Sequence, residues 1–318
     1  MSFLFLIIGF AFLIKGADVF VEGSSSIAKR FNVPPMVIGL TIVAMGTSAP
    51  EAAVSIGSSL AGQNDMSIAN VVGSNFFNVL VVLGVSSIIA KLPVQQDTIK
   101  KDAPFLILVS LLLVFLGFNL DLGRIDGIIL LAVFILFLVS TVKSGIKSSN
   151  SEFIDGGETA IAIDTTVEES FSMPKTMLTC IVGAIGIVVG GDIVVNSATN
   201  IATSFGMSQN LVGLTIVAVG TSLPEFVTSV VAIKKGETEI AIGNVIGSNL
   251  FNILLVLGLA SVINPITIST LALMDIGFMT LITILLYLFM KKDNSLVKKQ
   301  GILLVIIYVI YMIFTIVR

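Results

Sequence analysis

Two glutamates lie inside long apolar stretches of this chain, each at the end of a nearly identical segment. The segments read GLTIVAMGTSAPE, ending at Glu51, and GLTIVAVGTSLPE, ending at Glu225, and they agree at 11 of 13 positions. A carboxylate inside a membrane is energetically costly, so such residues usually face the interior of a helix bundle and serve a function. Two of them in duplicated segments predict a cation-binding site.

Glycine and proline close together predict that each of these helices is broken. Proline has no N–H, and the residue before it is steered away from helical geometry, so the backbone ladder fails near Pro50 and Pro224. A broken helix is tolerated in a membrane where its free backbone groups line a cavity. Carbonyl groups near Ala44, Thr47, Ala218 and Thr221 are therefore expected to point into one.

A second polar motif follows each broken helix. It reads NVVGSNFFN at 70–78 and NVIGSNLFN at 244–252. Ser74 and Asn78 are four residues apart, as are Ser248 and Asn252, so each pair shares one helix face. These side chains either hydrogen-bond between helices or line the cation site, and their position beside two broken helices favours the second interpretation.

The candidate ligands are all oxygen atoms, from carboxylates, hydroxyls, Asn amides and backbone carbonyls. Hard cations such as Ca²⁺ prefer such ligands, whereas softer metals prefer thiolate or imidazole. The chain has no histidine and a single cysteine, Cys180, which excludes a disulfide within the chain and the usual zinc, copper or haem sites. We expect no cofactor, and Ca²⁺ and Na⁺ as transported ions.

Composition places the chain among polytopic membrane proteins. Of its 318 residues, 55% are hydrophobic and 12% charged, and the mean hydropathy is +1.08. At about 20 residues per span, the sequence predicts ten transmembrane helices, near 3–22, 36–60, 67–90, 103–118, 125–143, 176–198, 210–233, 239–263, 270–290 and 301–317.

The basic residues give this map an orientation. Fourteen of the 17 lysines and arginines fall in the first, third, fifth, seventh and ninth connections. By the positive-inside rule those connections are cytoplasmic, and both termini lie on the extracellular side of the cell membrane. The long polar loop, 144–175, is then cytoplasmic. Its acidic 152–169 stretch lacks the spacing of an EF-hand, which favours a solvated loop over a Ca²⁺ sensor.

The two halves align without a gap at an offset of 174 residues. Five spans per half is an odd number, so the second half must enter the membrane from the opposite side. The sequence therefore predicts an all-α protein of two inverted five-helix repeats, with helices 2 and 7 discontinuous. The predicted units are 1–143, the acidic loop 144–175, and 176–318.

The doubled Gly-Thr-Ser-x-Pro-Glu and Gly-Ser-Asn-x-x-Asn motifs resemble the repeats of the cation/Ca²⁺ antiporter superfamily, whose best-known branch is the Na⁺/Ca²⁺ exchangers. The resemblance covers nearly the whole chain. It implies exchange by alternating access, with the first and sixth spans sliding across the other eight. It also implies that Glu51 and Glu225 are the central Ca²⁺ ligands, shared with Na⁺. The remaining implied ligands are Thr47, Ser48, Ser74, Thr221, Ser222 and Ser248, with the carbonyls of Ala44 and Ala218.

Asn252 is a departure from part of that superfamily. Some members, including K⁺-dependent ones, have Asp at this position, whereas both halves here carry Asn, at 78 and 252. With one carboxylate fewer, we expect exchange that does not require K⁺.

Three other functions fit parts of the sequence. A H⁺/Ca²⁺ antiporter would use the same carboxylates, because protons compete with cations for a buried Glu. A channel would favour symmetric rings in an oligomer over one occluded site between inverted repeats. A protease would need a second catalytic Asp or a base for a serine. We therefore expect a transporter and not an enzyme, with the lipid bilayer as its surroundings, no nucleic acid and no obligatory protein partner.

Overall fold

The computed structural model describes residues 1–152, 172–207 and 218–317; the side chains at 64–65, 146–152 and 218 are not included in that description. The described helices are α1 Ser2–Arg30, α2 Pro35–Thr47, α3 Ala49–Leu60, α4 spanning 64–89, α5 Thr98–Asn119, α6 Arg124–Glu152, α7 Met173–Ser204, α8 Ala218–Gly220, α9 Leu223–Lys234, α10 Thr238–Ile263, α11 Thr270–Asp293 and α12 Lys298–Val317.

Apolar helices dominate the described part of the chain. Eight of its helices are long and apolar enough to cross a membrane, and the bent pair α2 and α3 forms a ninth candidate span. The predicted seventh span, 210–233, falls partly on 208–217, outside the described residues. The protein is thus a helical polytopic membrane protein, as the sequence predicted.

Several helices extend beyond the predicted spans. Helix α1, the first predicted span, runs to Arg30 instead of ending at 22. Helix α6, the fifth span, continues to Glu152, into the predicted loop, and α7, the sixth span, covers Met173–Ser204 instead of 176–198. A run of apolar residues marks only the part of a helix inside the hydrocarbon. Beyond the hydrocarbon the backbone keeps its helical hydrogen bonds, while the side chains are polar and exposed to water.

The second span is discontinuous, as predicted. Helices α2 and α3 meet at an angle of 51°, at Ser48. Pro50 occupies the first turn of α3, where a missing N–H leaves no helical bond unmade, and Glu51 lies in the same turn. In the second half, α9 begins at Leu223 and places Pro224 and Glu225 in the same relation.

Wide helical turns mark four places in the described residues that the sequence did not predict. Residues Gly39–Val43 in α2, Asn78–Val82 in α4, Thr98–Asp102 in α5 and Asn252–Leu257 in α10 adopt π-helical hydrogen bonding. Those in α4 and α10 begin at the matching asparagines of the second motif. Such turns widen a helix locally and often occur at functional sites.

Helices α1 and α7 pack closely along a glycine seam. A Cβ added to Gly16 would lie 2.6 Å from the backbone nitrogen of Ile187, and one added to Gly190 would lie 2.5 Å from that of Leu13. Small residues allow this approach in membranes. Phe12 on the outer side of α1 is exposed, as expected of a surface that faces lipid.

Two short ladders join the halves of the chain. Strand β1 (Leu92–Pro93) pairs with β4 (Ser295–Leu296), and β2 (Asp121–Leu122) pairs with β3 (Ile266–Thr267), both antiparallel. Strands β1 and β2 flank α5, so the ladders lie at opposite ends of that helix. The 174-residue offset relates β1 to β3, which belong to different ladders, and this placement is consistent with inverted repeats.

Candidate cation site

The two glutamates lie at the centre of the molecule and are bonded across the halves. Both are fully buried. Ser48 Oγ donates to Glu225 Oε1 at 2.7 Å, and Ser222 Oγ donates to Glu51 Oε1 at 3.0 Å. The break in each helix therefore holds the carboxylate of the other half.

A serine from the second motif approaches each carboxylate from another side. Ser74 Oγ lies 3.4 Å from Glu51 Oε1, and Ser248 Oγ lies 3.4 Å from Glu225 Oε1. Both serines are fully buried. Helices α4 and α10 thus supply matching walls of one site.

Asn70 links α3, which carries Glu51, to the helix break just before α9 in the second half. Its Nδ2 donates to the backbone carbonyl of Glu51 at 3.2 Å and to Ser55 Oγ at 2.8 Å. Its Oδ1 accepts from Thr221 Oγ1 at 3.3 Å. Sequence reasoning had placed this residue in the motif without a role.

Asn244 repeats these contacts in the other half. Its Nδ2 donates to Ser229 Oγ at 3.0 Å and to the carbonyl of Glu225 at 3.4 Å, and its Oδ1 accepts from Thr47 Oγ1 at 3.0 Å. The signal that could have identified both asparagines is their recurrence at the 174-residue offset.

Four buried oxygens in the site have no hydrogen-bond partner. They are Oε2 of Glu51 and of Glu225, and Oδ1 of Asn78 and of Asn252. All four residues are fully buried, and the four atoms form two pairs related by the repeat. A buried acceptor without a donor is costly. Acceptors alone, two of them anionic, are what a desolvated cation requires.

The carbonyl of Ala44 takes part in hydrogen bonds at the helix break. The carbonyl of Ala44 accepts the N–H of Ser48 at 3.0 Å and lies 3.3 Å from Thr47 Oγ1. In the second half the N–H of Ser222 bonds to the carbonyl of Val219 at 3.2 Å instead. Ala218 is the first residue of α8, directly after the undescribed 208–217.

The site is more open on one side than on the other. Asn70 and Thr221 are partly exposed, whereas their repeat equivalents Asn244 and Thr47 are fully buried. The contact between Asn70 and Thr221 therefore marks the side from which solvent comes nearest to the carboxylates.

The charge of the site is uncompensated by basic side chains. Within residues 1–152, 172–207 and 218–317, no lysine or arginine pairs with either buried glutamate. Nor do those ranges bring three Asp, Glu, Cys or His side chains together as a metal cluster. Two carboxylates and neutral oxygens are the whole of the described donor set.

Comparison with known proteins points to one family. The family described as "Sodium/calcium exchanger protein" matches residues 1–143 and 175–317. The putative antiporter CaxA of Alkalimonas amylolytica is 38% identical over 314 residues, covering 97% of this chain and 96% of that protein. The sodium/calcium exchanger MaX1 of Methanosarcina acetivorans is 31% identical over 343 residues, covering 98% and 97%.

A solved structure shares the fold. The sodium-calcium exchanger NCX_Mj, soaked with 2.5 mM Na⁺ and 0.1 mM Ca²⁺, superimposes with a TM-score of 0.83 at 32% identity, over 97% of this chain and 96% of that one. The likeness extends over nearly the full length of both chains.

Proposed function

Because this chain belongs to the sodium/calcium exchanger protein family, which makes it an antiporter of the cation/Ca²⁺ type, we propose that it exchanges Na⁺ for Ca²⁺ through the site at Glu51 and Glu225. The observation that carries this proposal is the set of four unpartnered oxygens, two carboxylate and two amide, at the fully buried centre.

The surrounding hydroxyls suit a site that is alternately filled and emptied. Ser48 and Ser222 donate to the two carboxylates. A hydroxyl has both a donor hydrogen and acceptor lone pairs, so it can rotate and offer oxygen to an arriving cation. The proposed ligand set is Glu51, Glu225, Thr47, Ser48, Thr221, Ser222, Ser74, Ser248, Asn78, Asn252 and the carbonyls of Ala44 and Ala218.

Charge balance sets the proposed stoichiometry. Two carboxylates neutralise one Ca²⁺ or two Na⁺. A third Na⁺ leaves the loaded site at net +1, so exchange of three Na⁺ for one Ca²⁺ moves charge across the membrane. An inward current under a Na⁺ gradient tests this proposal, and electrically silent exchange would reject it.

Alternating access supplies the mechanism. The two ion species share one site, so only one load crosses at a time. The closely packed pair α1 and α7 is the proposed moving unit, and the partly exposed contact of Asn70 with Thr221 marks the open side. With the cytoplasmic basic connections inferred above, that side faces out of the cell, and Ca²⁺ extrusion is the proposed task.

A single uptake experiment tests the proposed function. Proteoliposomes loaded with Na⁺ are compared with K⁺-loaded ones for ⁴⁵Ca²⁺ uptake, with a protonophore present. Glu51→Gln removes one carboxylate of the site, and Asp293→Asn makes the same charge change at an exposed position at the end of α11. We expect uptake that needs internal Na⁺, disappears in Glu51→Gln and persists in Asp293→Asn.

Proton coupling is the second candidate, favoured by the complete burial of both carboxylates. A buried carboxylate needs a positive partner, and a proton can take the place of a metal cation. Uptake that ignores Na⁺ and follows an imposed pH gradient, once the protonophore is omitted, would assign the chain to H⁺/Ca²⁺ exchange through the same residues.

A further inference from the structure

Two asparagines that are not among the proposed ligands lie directly behind two that are. Asn75 and Asn249 are each 1% exposed and occupy the same position in the two repeats. Asn75 Oδ1 accepts from Nδ2 of Asn252 at 3.1 Å, and Asn249 Oδ1 accepts from Nδ2 of Asn78 at 3.1 Å. Each therefore contacts the ligand asparagine of the opposite half.

The orientation of these two amides is fixed by main-chain groups. Asn75 Nδ2 donates to the backbone carbonyl of Asn249 at 3.3 Å, and Asn249 Nδ2 donates to the backbone carbonyl of Asn75 at 3.4 Å. A carbonyl only accepts hydrogen bonds. The NH₂ group of each amide must therefore face it, and the amide oxygen must face the other way.

That orientation determines which atom of Asn78 and of Asn252 faces the site. An amide oxygen from Asn75 or Asn249 attracts the NH₂ group of the ligand asparagine, because only that group donates. The oxygen of the ligand asparagine is then turned away from that contact, and it is these two oxygens that lack a partner. A flipped amide would instead present two N–H groups, with partial positive charge, to the cation.

We propose that Asn75 and Asn249 are positioning residues, which hold the ligand amides of Asn252 and Asn78 with oxygen toward the ions. This inference rests on the proposed function, since it takes those two amides as cation ligands. Each positioning residue acts across the boundary between the repeats, so each half of the molecule orients a ligand of the other half.

A packing role alone is the competing explanation, and a double substitution separates the two. Asp presents oxygen in either orientation, so a ligand changed to Asp no longer needs to be oriented. If Asn75 acts by orientation, its replacement harms cation binding when residue 252 is Asn and not when it is Asp. If Asn75 only fills space, its replacement is equally harmful in both backgrounds.

The test measures ⁴⁵Ca²⁺ binding to the purified full-length protein for the wild type, Asn75→Leu, Asn252→Asp and the double variant. We expect Asn75→Leu to raise the Kd by about 10- to 100-fold in the wild-type background, and by less than about threefold in the Asn252→Asp background. Where Asn75→Leu does not fold, Asn75→Ala, or Asn249→Ala with Asn78→Asp, provides the same comparison.

Two results would overturn the proposal, and they differ from each other. Equal losses in both backgrounds, with wild-type binding that is abolished by Glu51→Gln, would overturn the positioning role and leave the exchanger assignment standing. Wild-type protein without saturable Ca²⁺ binding would overturn the proposed function together with the inference that rests on it.

Discussion

At the scale of single residues, the site is built from pairs that act on each other across the repeat. Ser48 Oγ donates a hydrogen bond to Glu225 Oε1 at 2.7 Å, and Ser222 Oγ donates one to Glu51 Oε1 at 3.0 Å. A hydrogen bond to a charged group is stronger than one between neutral groups. Each serine therefore helps to hold the carboxylate of the opposite half in place, and its oxygen is also a proposed cation ligand.

Removing either hydroxyl is expected to weaken cation binding. Each substitution removes an oxygen that is a proposed cation ligand and that also holds the opposite carboxylate, and losing a group that orients a metal ligand typically lowers affinity about 10- to 100-fold, so we expect Kd to rise by about tenfold or more. We expect Ser48→Ala and Ser222→Ala to have similar effects on Ca²⁺ affinity, measured by isothermal titration calorimetry.

Ser110→Ala is the matched control, because Ser110 is buried and bonds only within its own helix, to the carbonyl of Leu106. It should leave the affinity unchanged. An unaltered Kd in both site variants would show that these hydroxyls are not ligands.

The candidate ligands could be named from the sequence because carboxylates and broken helices are unusual in apolar runs. The asparagines behind them could not be assigned a role in this way. In a sequence, Asn75 and Asn78 are equally polar, and Asn70 and Ser55 carry no sign of their contact. Only the contacts between helices separate Asn78, whose Oδ1 has no hydrogen-bond partner, from Asn75, whose Oδ1 accepts from Asn252.

At the scale of helices, the breaks follow from local chemistry and the π-helical turns do not. Pro50 has no backbone N–H to donate, and a proline can be recognised directly in the sequence. The turn that begins at Asn78 depends on the fit of α4 against α9 and α12, which no local pattern encodes. Helix ends such as Arg30 were also missed, since apolarity marks the membrane and not the helix.

A charged contact joins the middle of α1 to Lys235, which directly follows α9. Lys235 Nζ lies 2.8 Å from Asp18 Oδ1, 3.0 Å from the carbonyl of Asp18 and 3.4 Å from Glu22 Oε2. Burial lowers the pKa of the Lys235 ammonium, but its bonds to Asp18 and Glu22 raise it more, so the net shift is upward. The repeat equivalent of Lys235 is Ala61, so this contact has no charged counterpart in the other half.

Replacing Lys235 is expected to destabilise the protein slightly. A partly exposed ion pair is worth at most about 1 kcal/mol, equivalent to about 2 °C in the melting temperature of a protein this size. We expect Lys235→Met to lower the thermal midpoint by that amount, and Lys91→Met, at an exposed position, to leave it unchanged. If Lys235→Met and Lys91→Met had the same thermal midpoint, the contact of Lys235 with α1 would not stabilise the protein.

At the scale of the whole molecule, duplication could be predicted from the sequence, and the contacts between the copies could not. The 174-residue offset and the odd number of spans predict inversion. The pairing of β1 with β4 and of β2 with β3 joins segments far apart in the chain. Two-residue strands leave no sequence pattern, and their pairing depends on where the helices end in space.

Orientation in the membrane is the prediction that belongs to this scale. The β1–β4 ladder joins the third and ninth connections, both rich in lysine, and the β2–β3 ladder joins the fourth and eighth, which carry Arg124 at most. The lysine-rich connections therefore lie at one end of α5 and the lysine-free connections at the other. The strand pairing that places them there is independent of their charge. By the positive-inside rule, the end with β1 and β4 is cytoplasmic.

Fusion reporters after the last helix test this orientation. We expect alkaline phosphatase fused after Arg318 to be active and green fluorescent protein at the same position to be dark, because folding of the former needs the outer side and of the latter the cytoplasm. Reporters inserted after Lys147, within 144–175, should show the reverse. If both positions reported the same side, an even number of crossings would separate them, and the two halves could not be inverted copies of five spans each.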